Sequence, residues 1–165
     1  MTLKRRSTDI EPPEFSTVHR PRVLVEEQDG AIRSSYVNLL RDAGFEAVGC
    51  GGPEDQEGAR CSLAMGQARC PLVKGQGCDA AERADVIFFS FRLADERNRN
   101  ILKALKRLNP RTPIVVELPK PQSFRYQDVL RGVHLAYAPV TGHSLTKAIL
   151  DAWEAPDPIL ESLRK

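Results

Sequence analysis

Several classes of protein are excluded by what this sequence lacks. No apolar run among its 165 residues is long enough to cross a bilayer. Basic residues near the N-terminus are not followed by an apolar stretch, so a secretory signal peptide is not expected. The net charge of +2 is too close to balance to indicate a nucleic-acid or membrane partner. We therefore predict a cytoplasmic protein with one main domain and no membrane association.

Sequence motifs of common enzyme classes are also missing. The chain has no G-x-G-x-x-G or Walker loop, which argues against a nucleotide-dependent enzyme. No G-x-S-x-G elbow surrounds Ser90, so a hydrolase is not indicated. A redox enzyme with paired cysteines is a further alternative, but no C-x-x-C motif supports it. The prediction is a non-enzymatic protein.

All four cysteines lie within residues 50–78, called here the cysteine segment. They are Cys50, Cys61, Cys70 and Cys78, with spacings C-x10-C, C-x8-C and C-x7-C. Within the segment, ARCSLAMGQ is followed at once by ARCPLVKGQ, and glycine is frequent. Such a stretch loses much backbone entropy on ordering, and its few apolar residues do not offset that loss. The prediction is that the thiols hold the segment in place.

Three interpretations of the cysteines remain open. Thiolates bind zinc and iron–sulfur clusters, and the absence of a C-x2-C pair favours a cluster slightly over zinc. Alternatively the thiols form a reversible disulfide, since Arg60, Arg69 and Lys74 lie close in sequence and cations lower thiol pKa values. Small buried hydrophobic residues without chemistry are the third interpretation. His134 or His143 would be candidates for an additional nitrogen ligand.

Short apolar runs alternate with helical patterns along the chain. Strands are predicted over residues 22–26, 45–48, 85–91, 113–118 and 133–138. Helices are predicted from a cap at Asp29 to Gly44, over residues 96–108, from a cap at Ser123, and over residues 144–153, with a helical turn at 80–84. This order predicts an α/β fold: a flavodoxin-like, doubly wound, five-stranded parallel sheet with strand order 2-1-3-4-5.

These elements resemble the receiver domain of bacterial response regulators. VLVEEQDGAIRSSYVNLLRDAGFEAV resembles its first strand, first helix and second strand; ADVIFFSFRLAD, TPIVVEL and GVHLAYAPV resemble its third to fifth strands. The resemblance covers residues 21–153 except the cysteine segment. It implies a flexible N-terminal arm at 1–20, a receiver-like domain at 21–153 with a cysteine-rich insertion at 49–79, and a tail at 154–165.

The resemblance also implies where phosphorylation chemistry would lie. A receiver places two acidic residues after strand one, and here these positions are Glu27 and Gln28. The phosphoryl-accepting aspartate is replaced by Ser90, and the Ser or Thr that ends strand four is replaced by Leu118. The lysine before a proline is replaced by Ala138. We therefore expect a pseudo-receiver that is not phosphorylated and binds magnesium poorly.

The predicted function is regulatory. The cysteine segment would sense metal or redox state through an order–disorder change and signal to a protein partner or a second copy. The alternative is a protein–protein interaction module with a stapled loop and no sensing role. A basic strip is more typical of a solvated helix face than of nucleic-acid binding; it consists of Arg92, Arg97, Arg99, Lys103, Lys106, Arg107 and Arg111.

Overall fold

The computed structural model describes residues 20–53 and 70–155. The predicted N-terminal arm, the middle of the cysteine segment with Cys61, and nearly all of the predicted tail lie outside these ranges. None of the helices in the described part is both long and apolar enough to cross a membrane.

Five parallel strands form one sheet in the order β2-β1-β3-β4-β5. The strands are β1 (Arg22–Glu26), β2 (Glu46–Cys50), β3 (Val86–Phe89), β4 (Ile114–Leu118) and β5 (His134–Tyr137). The three central strands are almost completely buried, as continuous apolar runs in a parallel sheet covered on both faces should be. The predicted fold class and strand order are confirmed.

Six α-helices and one 3₁₀ helix are found in the described residues. They are α1 (Gly30–Asp42), the 3₁₀ helix Pro71–Lys74, α2 (Asp79–Glu82), α3 (Glu96–Leu108), α4 (Lys120–Arg125), α5 (Gln127–Leu130) and α6 (Gly142–Glu154). The Asp29 side chain accepts from the backbone N–H groups of Ala31 and Ile32, as its predicted capping role requires. Ser123 does not cap a helix: it lies inside α4, and its hydroxyl donates to the carbonyl of Lys120.

Side chains on the two faces of the sheet form two hydrophobic cores. The α1-side core contains Val37 and Leu40 of α1 together with Leu145 and Ile149 of α6. The α3-side core packs the other face of the sheet against α3 and α5, and it includes Cys70, Leu72 and Cys78. The described end of the cysteine segment, residues 70–78, therefore packs on one specific face of the sheet.

Candidate functional site

The carboxyl ends of β1, β3 and β4 bring three polar residues together, called here the acidic corner: Glu27, Ser90 and Glu117. The Ser90 hydroxyl oxygen lies 2.7 Å from Oε2 of Glu27 and 2.8 Å from Oε2 of Glu117. Both glutamates are largely buried, with 9% and 8% of their surface exposed. Buried carboxylates are costly unless hydrogen-bonded, so their common contact with Ser90 organises this edge of the sheet.

Sheet register explains why Glu117 rather than Leu118 lies beside Ser90. Phe89 of β3 pairs with Val116 of β4, so the next residue along each strand, Ser90 and Glu117, are neighbours. Alternate side chains on a strand face opposite sides, and Leu118 accordingly joins the α3-side core. Leu118 ends β4 as predicted, but Glu117 rather than Leu118 contacts Ser90, and the sequence match alone did not reveal this register.

Tyr36 of α1 contacts the acidic corner from the α1 side of the sheet. Its hydroxyl lies 3.1 Å and 3.0 Å from the two carboxylate oxygens of Glu117 and donates to them. Burial, together with the charge and hydrogen bond of Glu117, raises the pKa of Tyr36 far above its ordinary value. Tyr36 is therefore a permanent hydrogen-bond donor to Glu117 under physiological conditions.

Glu27 is held from the start of α1. Its Oε1 atom accepts a hydrogen bond from the backbone N–H of Asp29 at 2.8 Å. The Arg33 guanidinium donates to the backbone carbonyls of Glu27 at 2.8 Å and Gln28 at 3.3 Å. Arg33 thus stabilises the turn between β1 and α1 that carries Glu27, while Gln28 contributes its carbonyl to this turn.

The acidic corner opens into a pocket of about 390 Å³. Ala138, at the position where the receiver resemblance calls for lysine, lines this pocket with a methyl group. Apolar walls come from Ile32, Phe91, Leu118 and Pro119. The pocket therefore combines two buried carboxyls with a mostly apolar wall and has no lysine from the end of β5.

Three of the predicted cysteine ligands are described, and all lie against the α3-side core. Cys50 ends β2 and is half-buried, whereas Cys70 and Cys78 precede the 3₁₀ helix and α2 and are buried. No group of three or more His, Cys, Asp or Glu side chains within residues 20–53 and 70–155 is arranged to hold a metal ion. A four-thiol site including Cys61 stays a prediction.

His134 and His143 lie on other elements than the three described cysteines. Cys50 ends the edge strand β2, and His134 begins the opposite edge strand β5. Four strand spacings of roughly 4.8 Å separate these two edges, a distance of about 19 Å. His143 follows β5 in the first turn of α6, which packs on the α1-side core. His134 is therefore too far from Cys50 to share a metal ion with it, and ligation by either histidine together with Cys61 stays a prediction.

The C-terminal part of the cysteine segment docks on α3. Leu72 is fully buried there, with 1% of its surface exposed. The Arg107 guanidinium of α3 donates to the carbonyl of Gly75 at 2.8 Å. Gly75 ends the 3₁₀ helix with φ of 72°, a conformation that favours glycine. Leu72 therefore contributes to holding this part of the segment, because α3 provides a core for it.

Basic residues of α3 and its flanking loops mostly serve internal contacts. Arg97 pairs with Asp95 at 2.7 Å, and Arg99 donates to the carbonyls of Leu93 and Ala94. Lys106 donates to the carbonyl of Val129 at 2.9 Å, which ties α5 to α3. With Arg107 bound to Gly75, four of the seven basic residues have structural partners. This strip favours the interpretation as a helix face over a nucleic-acid site.

Two buried glutamates, Glu26 and Glu117, were missed by the sequence interpretation. Each is a carboxylic acid near the end of an otherwise apolar strand, and Glu26 is only 2% exposed. Charged residues rarely occupy fully buried positions without a specific role. That signal, a carboxylate at the carboxyl end of a buried parallel strand, was available in RVLVE and IVVEL.

No family model and no curated protein matches this sequence. Solved structures do match in fold. Chemotaxis protein CheY4 of Vibrio cholerae aligns with a TM-score of 0.57 and 18% identity over 81% of this chain and 99% of that one. A response regulator receiver domain from Clostridium thermocellum aligns with a TM-score of 0.59 and 15% identity over 87% and 98%.

A protein described as adenylate cyclase from Rhodopirellula baltica aligns with a TM-score of 0.61 and 13% identity over 88% of this chain and 96% of that one. Identities this low establish the fold alone and do not transfer an activity. The chain therefore has the flavodoxin-like fold of CheY-like response regulator receiver domains.

Proposed function

We propose that this protein is a non-enzymatic regulatory pseudo-receiver that acts on a protein partner without being phosphorylated. The acidic corner carries this proposal, because Ser90 follows β3 where an aspartate would accept the phosphoryl group. Its hydroxyl is already engaged by Glu27 and Glu117. Two negative carboxyls on either side of Ser90 would also repel an incoming phosphate.

The phosphorylation part of the proposal has a direct test. Incubation with acetyl phosphate and Mg²⁺ should incorporate no phosphate, because Ser90 cannot form an acyl phosphate and Ala138 supplies no cation. A receiver domain that retains its phosphoryl-accepting aspartate, incubated in parallel, provides the positive control. Phosphate found on Glu27, Ser90 or Glu117 would contradict the proposal.

The partner surface is proposed on α4 and the edge strand β5. Phe124 of α4 is 71% exposed, and Leu135 and Tyr137 of β5 are 39% and 46% exposed. The Lys120 ammonium lies 5.8 Å from the centre of the Tyr137 ring, so a cation borders the apolar surface. Exposed apolar and aromatic side chains beside β5, the edge strand of the sheet among the described residues, are typical of protein contacts, with a second copy of this chain as one candidate.

The sensing role proposed for the cysteine segment is supported by the positions of its three described cysteines. Cys50, Cys70 and Cys78 all contact the same α3-side core, although they are up to 28 positions apart in the sequence. With Cys61 they would hold zinc or an iron–sulfur cluster, or form a reversible disulfide. Either change would set how firmly residues 50–78 are held, and α3 links this segment to α5 through Arg107 and Lys106.

The alternative is an interaction module in which the segment is a structural element. Burial of Cys70 and Cys78, with 6% and 7% exposure, favours this alternative because buried thiols in an apolar core are often inert.

Metal analysis and an absorbance spectrum after anaerobic purification separate a cluster from zinc, and thiol titration with and without reductant detects a disulfide.

A Cys61→Ser variant tests whether the thiols sense anything. If a bond or metal holds the segment, reductant or chelator should lower the free energy of unfolding of the wild-type protein, by about 2–4 kcal/mol for a disulfide. Cys61→Ser should abolish that response, whereas Ser62→Ala, a neighbouring change that keeps all thiols, should retain it. If reductant and chelator change the stability of wild type and Cys61→Ser equally, or change neither, the sensing role is contradicted. The interaction-module alternative would then stand.

A further inference from the structure

The first residues of the cysteine segment lie directly against the acidic corner. The backbone N–H of Glu27 donates to the carbonyl of Cys50 at 3.1 Å. This bond continues the pairing of β1 with β2, in which Glu26 is the partner of Cys50. The residue that carries one carboxyl of the corner is therefore held by the backbone of the first cysteine.

Arg33 adds a second contact between β2 and the corner. Its guanidinium donates to the carbonyl of Glu27 at 2.8 Å, and its side chain crosses Gly49, the residue before Cys50. A Cβ atom at Gly49 would lie 2.9 Å from Cγ of Arg33, so the missing side chain leaves room for this path. The N–H and the carbonyl of Glu27 are thus both bonded to groups that residues 49–50 provide or make room for.

Phe91 provides a third contact, on the β3 side of the corner. Gly52 lies against its ring with φ of 87°, and a Cβ atom there would lie only 3.0 Å from Cζ of Phe91. The Phe91 side chain packs in the α3-side core, which also contains Cys70 and Cys78, and it lines the pocket of the acidic corner. Because Phe91 directly follows Ser90 in the chain, one side chain is shared by the segment and the corner.

From these three contacts we infer that Cys50 and Phe91 couple the state of the cysteine segment to the acidic corner. Close-packed interiors transmit displacements, because a buried side chain has no free space in which to absorb them. A metal ion or disulfide bond that moves residues 50–52 therefore moves Phe91 and Glu27, and with them the groups around Ser90. The inference rests on the proposed function, since it names the route by which the segment acts on the corner.

Gly52→Ala tests this route in the full-length protein. Before any movement, the added methyl group would lie 3.0 Å from the Phe91 ring. Gly132→Ala is the matched control, because Gly132 has a similar φ of 81° but no heavy atom of the described residues within 4 Å of the added methyl group. Both variants carry the strain of alanine at positive φ, and only Gly52→Ala also presses on Phe91.

Amide hydrogen exchange followed by NMR measures the effect at the corner. The backbone N–H groups of Glu27 and Ser90 donate to backbone carbonyls in the wild type. In Gly52→Ala their exchange should be about tenfold faster than in Gly132→Ala. Each rate is divided by the exchange rate of α6 in the same protein, so that a general loss of stability is not mistaken for a local effect. Equal ratios in the two variants would overturn the inference.

A second substitution tests whether Phe91 carries the effect. Phe91→Leu shortens the side chain that the added methyl group meets. Exchange at Glu27 and Ser90 should therefore respond less to Gly52→Ala in the Phe91→Leu protein than in the wild type. An equal response in both backgrounds would exclude Phe91 as the link between segment and corner.

Alkylation of the wild-type protein with iodoacetamide applies the same test from Cys50, and it decides if Gly52→Ala does not fold. Cys50 is half-buried, and mass spectrometry identifies the modified fraction. Modification of Cys50 should shift the amide resonances of Glu27 and Ser90. The same treatment of Cys50→Ala should leave these resonances in place. Resonances that stay unchanged when Cys50 is modified would contradict the coupling.

These results are independent of the tests of the proposed function. If reductant and chelator leave the stability of the wild type unchanged, the sensing role fails, yet faster exchange at the corner in Gly52→Ala would still support the coupling. If a metal ion or disulfide is found but exchange at the corner does not respond to Gly52→Ala, the segment senses without reaching the corner. The inference is then overturned while the sensing role stands.

Discussion

Ser90→Asp is expected to be about 3 kcal/mol less stable than Ser90→Asn at neutral pH, because it adds a third carboxylate to the acidic corner. Two like charges about 4 Å apart repel by about 4 kcal/mol at the effective dielectric constant of a protein. The added carboxylate would lie between Glu27 and Glu117, which are both more than nine-tenths buried. Chemical denaturation of the two variants measures the difference directly.

The asparagine variant is a matched control, since it has the same shape as aspartate and no charge. Protonation of the added carboxylate removes its repulsion with Glu27 and Glu117 and so stabilises the folded Ser90→Asp variant. The difference in the free energy of unfolding between Ser90→Asp and Ser90→Asn should therefore be largest at alkaline pH and vanish towards acid. Equal stability of the two variants at an alkaline pH would show that Glu27 and Glu117 do not set the electrostatics of this corner.

Leu72→Ala is expected to lower the free energy of unfolding by about 2–5 kcal/mol, the usual cost of truncating a fully buried leucine. Leu72 lies in the 3₁₀ helix of the cysteine segment and packs in the α3-side core. The effect follows from packing and should persist in the presence of reductant and chelator. Hydrogen exchange across residues 70–78 should show whether the segment also loosens.

Leu135→Ala provides the comparison, because it is the same chemical change on β5 at a position with 39% exposure. It should cost less than about 1 kcal/mol, in line with partial burial. If Leu72→Ala costs no more than Leu135→Ala, the segment is held by its thiols rather than by the core, as the sequence interpretation proposed.

Strands and helices with strong local signals were predicted well. RVLVE lies in β1 at residues 22–26 as expected, and α3 spans residues 96–108 as expected. In α3 the helical spacing of Ile101, Leu102 and Leu105 agrees with their burial in the core. Asp95 caps the start of the same helix. Such agreement between local pattern and packing makes an element predictable from sequence.

Positions set by long-range packing were harder to predict. Ile32 and Leu39 of α1 match the helical period but are 44% and 42% exposed, because α1 presents Val37 and Leu40 to the sheet instead. The one-residue difference between Leu118 and Glu117 depends on the register of β3 with β4. Register is a property of the paired strands, so a single strand does not reveal which of its residues reaches the corner.

The contacts made by the described end of the cysteine segment also could not be predicted from the sequence. Glycine content and short apolar runs indicated a stretch that needs crosslinks, whereas the structure places Leu72, Cys70 and Cys78 in a core that α3 completes. The Arg107 contact with Gly75 joins residues 32 positions apart and could not be inferred from local spacing.

Mass spectrometry of the intact wild-type protein after incubation with acetyl phosphate and Mg²⁺ tests the central claim most directly. The claim is that Glu27 and Glu117 close the corner around Ser90 and leave no phosphoryl acceptor. The account predicts an unchanged mass under conditions that fully modify a receiver domain with an intact acceptor aspartate. A phosphoryl adduct mapped by peptide sequencing to Glu27, Ser90 or Glu117 would contradict it.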